Sequence, residues 1–183
     1  AVFKKHGLDG DPWEHAVQYG DELISKTFAP DSGFEAEYRF TIEGPVPPAL
    51  HFVMERPDIY TVQCNGKPVV WDKQSWWLDK AFGKLDIAAL AKTGENIISI
   101  KAQPFTMFHE IEPAYVLGDF GVRAAEKGFV ITAAQPLQYG PWKNQGLPLY
   151  GDAVTYERNF DVTEKNGRFE VEVARNFDSA RPE

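Results

Sequence analysis

Two glutamates set two positions apart, Glu110 and Glu112, carry the most suggestive chemistry in this 183-residue chain. If their stretch is extended, both carboxylates face one side. Their Cα atoms would then stand roughly 6.5–7 Å apart, which overlaps the carboxyl spacing of inverting glycosidases. A hydrolytic pair normally flanks its bond from separate elements, so this spacing suits sugar hydroxyls, or a calcium ion, better than catalysis. His109 would point to the opposite face and reads first as a hydrogen-bonded structural residue. His6, His15 and His51 are scattered, so no zinc site is expected. Trp76 and Trp77 are consecutive, so on a strand one ring points inward and the other outward. The outward ring is a candidate platform for a sugar, with Asp79 close by; its rival use is to cover a hydrophobic edge or a neighbouring domain. Asp119 lies between Gly118 and Gly121, where the backbone can turn sharply, and reads as a turn residue before a calcium ligand or substrate contact. No nucleophile elbow, phosphate loop or dinucleotide fingerprint is present.

The elements that must hold these residues are strands. Phe34-Glu-Ala-Glu-Tyr-Arg-Phe-Thr-Ile42 alternates apolar and polar side chains without a miss, the period of a half-buried strand. Val154-Thr-Tyr-Glu-Arg-Asn-Phe-Asp-Val162 repeats that rhythm, and each run leads on to a further alternating strand, at 50–54 and 169–173. Asn65-Gly66 between 60–64 and 68–71 predicts a hairpin with a type I′ turn. A short helical or turn-like stretch is expected over 85–91, with Asp86 as its N-cap. Strands follow over 97–102, 115–117, 121–124 and 129–133. Gly44-Pro-Val-Pro-Pro48 is a connection, and 13–24 could hold a helical turn. Short strands at regular spacing predict an all-β chain, an antiparallel two-sheet β-sandwich. The expected division is a loop-rich lead-in over 1–30 and a sandwich over 31–140. A linker with the opening strands of a second sandwich follows over 141–183, where Trp142 plugs the two together. Those last strands, if unpaired, would have to pack on the first sandwich or on another copy.

The formal charge of −8 argues against nucleic acid or an anionic membrane as partner. Aromatic residues make up 14%, enough for a sandwich core and for flat apolar faces besides. Cys64 is the single cysteine, so no internal disulfide or thiolate metal site forms, and a buried inert thiol is expected. The chain opens Ala1-Val-Phe-Lys-Lys with no methionine, signal peptide or membrane-spanning run, which fits a mature or excised sequence.

Three segments carry a resemblance to known proteins. The run through Cys64-Asn-Gly-Lys67, Asp86-Ile-Ala-Ala-Leu90 and Gly94-Glu-Asn-Ile-Ile-Ser-Ile100 resembles the sugar-binding, galactose-binding-like jelly-roll domain of family 2 glycoside hydrolases. The runs Ile111-Glu-Pro-Ala-Tyr-Val-Leu-Gly-Asp-Phe-Gly121 and Trp142-Lys-Asn-Gln-Gly-Leu-Pro-Leu-Tyr-Gly151 resemble the C-terminal sandwiches of family 106-like, α-L-rhamnosidase-type hydrolases. The resemblance covers the chain from about residue 34 onward. It implies a galactose-binding-like jelly roll, an accessory domain of an exported, extracellular or periplasmic polysaccharide-degrading enzyme, bacterial in origin. Its partners would be an oligo- or polysaccharide and the catalytic domain of the same polypeptide, with no cofactor required. Within that frame Trp76, Trp77, Asp79, His109, Glu110 and Glu112 are the expected sugar contacts. Two rivals stand beside it: a domain that lends Glu110, Glu112 or Asp119 to the active site of the intact enzyme, and a pure spacer.

Overall fold

The computed structural model describes residues 2–8, 12–14, 23–157, 159–163 and 166–170. A short helix, α1 (Val2–Lys5), precedes ten strands. In chain order these are β1 (Phe34–Ile42), β2 (Leu50–Glu55), β3 (Thr61–Cys64), β4 (Lys67–Pro68) and β5 (Trp76–Trp77). They continue with β6 (Asp79–Asp86), β7 (Gly94–Ala102), β8 (Tyr115–Gly118), β9 (Phe120–Ala124) and β10 (Phe129–Ala133). Six of them form one sheet in the order β4-β3-β7-β1-β10-β9, and four form the other in the order β5-β6-β2-β8. The chain is an all-β, two-sheet sandwich.

The core follows from the period of two. Phe34, Ala36, Tyr38, Phe40 and Ile42 of β1 turn inward, while Glu35, Glu37 and Arg39 stay exposed. The inward row packs with Phe52 and Met54 of β2, Leu85 of β6, and Ile98 and Ile100 of β7 in one apolar cluster. On the outer face charges stabilise the ladder: Arg39 pairs with Glu37 and Glu95, and Lys101 lies opposite Glu35. Cys64 is wholly buried, and burial pushes its thiol up.

The Asn65-Gly66 turn and Asn96 hold one end of the six-stranded sheet together. Asn65 and Gly66 have φ of 51° and 77°, which makes the β3–β4 turn type I′. Buried Asn96 accepts from Asn65 Nδ2 and the Lys92 N–H, and its own amide donates to the Lys92 and Gly94 carbonyls. Among the described residues every buried side-chain nitrogen and oxygen has a partner.

Several expectations shift. Leu85 and Asp86 end β6 rather than begin a helix, because Leu85 faces the core opposite Phe52. Asp86 still caps one turn: its Oδ1 accepts the Ala88 N–H at 2.9 Å, and Leu90 and Ala91 donate to the Ile87 carbonyl. The strand expected over 68–71 shortens to Lys67–Pro68, with one further bond beyond it, from the Val69 N–H to the Val62 carbonyl at 3.0 Å. The sheets are not wholly antiparallel, because β10 meets β1 in parallel at Ile42 and Ile131. Part of the expected turn at 13–24 is a 3-10 turn, Pro12–Glu14, and 15–22 lie outside the described residues. Described residues of the lead-in pack against the β7–β8 connection: His6 stacks on Phe105 with centroids 3.9 Å apart, and Phe3 and Phe28 meet the same ring edge-on.

No strand forms among the described residues of 154–162, nor at Phe169 and Glu170; 171–173 lie outside the described residues. A strand needs a hydrogen-bonding neighbour, and the outer edge of β9 is occupied by the preceding loop. There the Val122 N–H donates to the Gly146 carbonyl at 2.8 Å. Gln145 braces that loop through Gln138 in both directions, and Tyr139 stacks on Tyr156 at 4.8 Å. Trp142 sits half-buried in this loop. Among the described residues no helix is long and apolar enough to cross a membrane.

Candidate functional site

The connection from β7 to β8 builds the site. It leaves the six-stranded sheet at Ala102 and enters the four-stranded one at Tyr115, so it must bridge the end of the sandwich. Phe105 and Met107 are buried and anchor its first half. His109, only 3% exposed, locks the middle. Its Nδ1 accepts the Thr106 N–H at 2.8 Å, and its Nε2 donates to the Ile59 carbonyl at 2.9 Å. That hydrogen-bond pattern fixes the neutral Nε2–H tautomer.

Two tyrosines hold the second half. Tyr60 donates its hydroxyl to the Glu110 carbonyl at 2.7 Å and accepts the Glu110 N–H at 2.9 Å. Tyr38, from the inward row of β1, donates to the Glu112 carbonyl at 2.8 Å. The main chain of Glu110 and Glu112 is thus held by side chains, where a neighbouring strand would otherwise have done it. Burial raises both phenols. Tyr60 is pushed from 10.0 to about 12, and Glu112 adds to the rise at both rings.

The result is a cleft of about 160 Å³ lined by Trp13, Tyr38, Met54, Glu55, Arg56, Tyr60, Phe108, Glu110 and Glu112. Met54 belongs to the core and forms the floor. Phe108 is 41% exposed, and the Trp13 ring lies 6.1 Å from it, held by its indole N–H on the Met107 carbonyl. Arg56 has a left-handed backbone, φ 48°, unusual for a residue with a side chain. This reverses the chain after β2 and brings the guanidinium 5.7 Å from the Phe108 centroid. Asp58 grips it with both oxygens, at 3.0 and 3.1 Å. That bond holds Asp58 below the usual carboxylate range and raises Arg56. Aromatic faces, carboxylate acceptors and a guanidinium donor together suit a polyhydroxylated ring.

The six residues expected from the sequence divide. Glu110 and Glu112 both line the cleft, although 110–114 is no strand. His109 points into the protein, with both ring nitrogens occupied, and does not line the cleft. Trp76, Trp77 and Asp79 stand apart on the β5–β6 hairpin. Trp76 is 44% exposed, whereas Trp77 is half-buried against Tyr115 at 5.4 Å. Asp79 Oδ1 accepts the Ala81 N–H and shapes the hairpin. Asp119 occupies the single-residue corner between β8 and β9, where the chain changes sheets. Among the described residues no three His, Cys, Asp or Glu side chains gather to hold a metal.

Sequence reasoning missed Tyr38, Glu55, Arg56, Tyr60 and Phe108. Tyr38 is indistinguishable from a core residue in its alternating strand. Arg56-Pro57 after β2 is the one local sign that the chain turns there. Comparison with family models, with curated proteins and with solved structures finds no match to this chain.

Proposed function

We propose that this chain is a non-catalytic carbohydrate-binding domain of a larger, exported polysaccharide-degrading glycoside hydrolase, with a galactose-binding-like jelly-roll fold. The observation that carries this reading is the aromatic cleft at the end of the sandwich, where Phe108 and Trp13 offer ring faces beside Glu110 and Glu112. Sugar C–H groups stack on such faces, and carboxylates accept their hydroxyls. Trp13 lines the cleft, so binding is expected to change tryptophan fluorescence. Titration against a panel of plant and bacterial oligosaccharides, rhamnose- and galactose-containing ones included, tests this. A saturable response to one sugar class supports the reading; silence across the panel overturns it.

A second reading is favoured by a specific feature, the exposed apolar side chains around β5. Leu78 is 77% exposed and Trp76 44%, two residues apart on the β5–β6 hairpin, and Val70 is 88% exposed. Such side chains suit a face that braces the catalytic domain of the same polypeptide. In that case Trp76→Ala lowers the stability of the full-length enzyme and leaves sugar binding alone.

A further inference from the structure

Two asparagines of this chain precede a glycine, Asn65 and Asn166. An asparagine so placed is open to a covalent change that needs no enzyme. The main-chain nitrogen of the glycine attacks the asparagine Cγ and gives up its proton to water, and the side-chain amide leaves as ammonia. Water then opens the resulting five-membered imide at either carbonyl. The product is an aspartate, or its isomer with the main chain routed through the side-chain carbon. Water is consumed and ammonia released, with no oxidant or reductant. A following glycine favours the attack because no Cβ crowds the approach to Cγ.

The fold treats the two sites differently. At the β3–β4 turn the Asn65 carboxamide is held by three hydrogen bonds. Its Nδ2, the leaving group, donates to the Leu90 carbonyl and to Asn96 Oδ1, each at 2.9 Å. Its Oδ1 accepts the Ile97 N–H at 3.1 Å. The main chain is fixed as well, since the Asn65 N–H donates to the Ile97 carbonyl at 2.8 Å. Cγ can swing toward the Gly66 nitrogen only after the carboxamide bonds open. Asn166 and Gly167, by contrast, are exposed. Among the described residues no hydrogen bond holds the Asn166 side chain. Apart from its chain neighbours, nothing stands within 4 Å of where a Gly167 Cβ would be.

We propose that Asn166 is a site of spontaneous deamidation, and that the fold protects Asn65 from the same chemistry. The product sets a carboxylate two positions before Arg168, whose guanidinium already meets Glu170 at 2.9 Å. The chain gains a negative charge there and separates as an acidic form. At Asn65 the same change would put an acceptor against the Leu90 carbonyl and Asn96 Oδ1 and break the turn. The guarded asparagine is thus the one whose loss would cost the sheet.

The test incubates the full chain at mildly alkaline pH and follows each asparagine by peptide mapping with mass spectrometry. In the folded protein Asn166 is expected to convert at least about tenfold faster than Asn65, because a site that must open first reacts only from its open fraction. In denaturant the two rates are expected to fall within about threefold of each other, since neither carboxamide is then held. Gly167→Val is expected to slow Asn166 about tenfold, its branched Cβ crowding the attacking nitrogen. Equal rates in the folded protein overturn the proposal. A gap that persists in denaturant assigns the difference to flanking sequence and also overturns it. So does an Asn166 that converts no faster than Asn144 or Asn159, neither of which precedes a glycine. An unchanged rate in Gly167→Val rules out the imide route and overturns it too.

Discussion

Tyr60 uses one hydroxyl as donor and acceptor to the same residue, and that clasp sets the course of the chain beneath both acids. Burial raises the Tyr60 pKa, and that gives the buried phenol a contribution to stability with a definite pH window. The folded state holds the phenol proton up to about 12, while an unfolded tyrosine releases it near 10.0. The contribution is therefore complete below pH 10.0 and is lost as pH climbs toward about 12. Tyrosinate absorbance during an alkaline titration is expected to show a late step that Tyr60→Phe removes. Asn96 makes a comparable demand away from the cleft. It is fully buried with four hydrogen bonds, so Asn96→Ala strands the Lys92 and Gly94 groups and the Asn65 amide. Chemical denaturation is expected to show a loss of about 3 kcal/mol; a loss below ~1 kcal/mol would mean that water satisfies these groups.

Among the elements, the loop over the edge of β9 does what a further strand would have done. Gly146, at φ 92°, comes so close to Gly121 that a Cβ there would stand 3.3 Å from the Gly146 Cα. Gly121→Val is expected to lift the loop and free the Val122 N–H. Its amide exchange should quicken about tenfold while the β1–β7 ladder keeps its protection. Uniform quickening across both sheets would show that the loop is integral to the core. The same scale shows what the sequence reveals. Strand β1 was legible because it alternates, β8, β9 and β10 as short strands between glycine or charged turns, and β3 because the Asn65-Gly66 type I′ turn restricts its residues. The β5–β6 hairpin was not, because its turn uses Leu78 at φ 64°, a residue that carries no turn signal. The run over 154–162 repeats the rhythm of β1 except at Arg158, yet forms no strand among the described residues, for alternation specifies a face and not a neighbour.

For the molecule as a whole, two of the nine described residues that line the cleft were legible. Glu110 and Glu112 could be found because their spacing is local. Tyr38 and Tyr60, which position them, stand 74 and 50 residues away along the chain and meet them only through the sandwich. His109 and Trp77 were conspicuous for their residue type, and the fold turns both toward protein neighbours. One comparison tests the claim that the cleft is where the sugar sits. The oligosaccharide with the strongest fluorescence response would be titrated calorimetrically against Phe108→Ala and Trp77→Ala, each checked by thermal melt. The account predicts that Phe108→Ala weakens binding about tenfold while Trp77→Ala leaves it unchanged. The reverse pattern would move the sugar to the four-stranded sheet and contradict it.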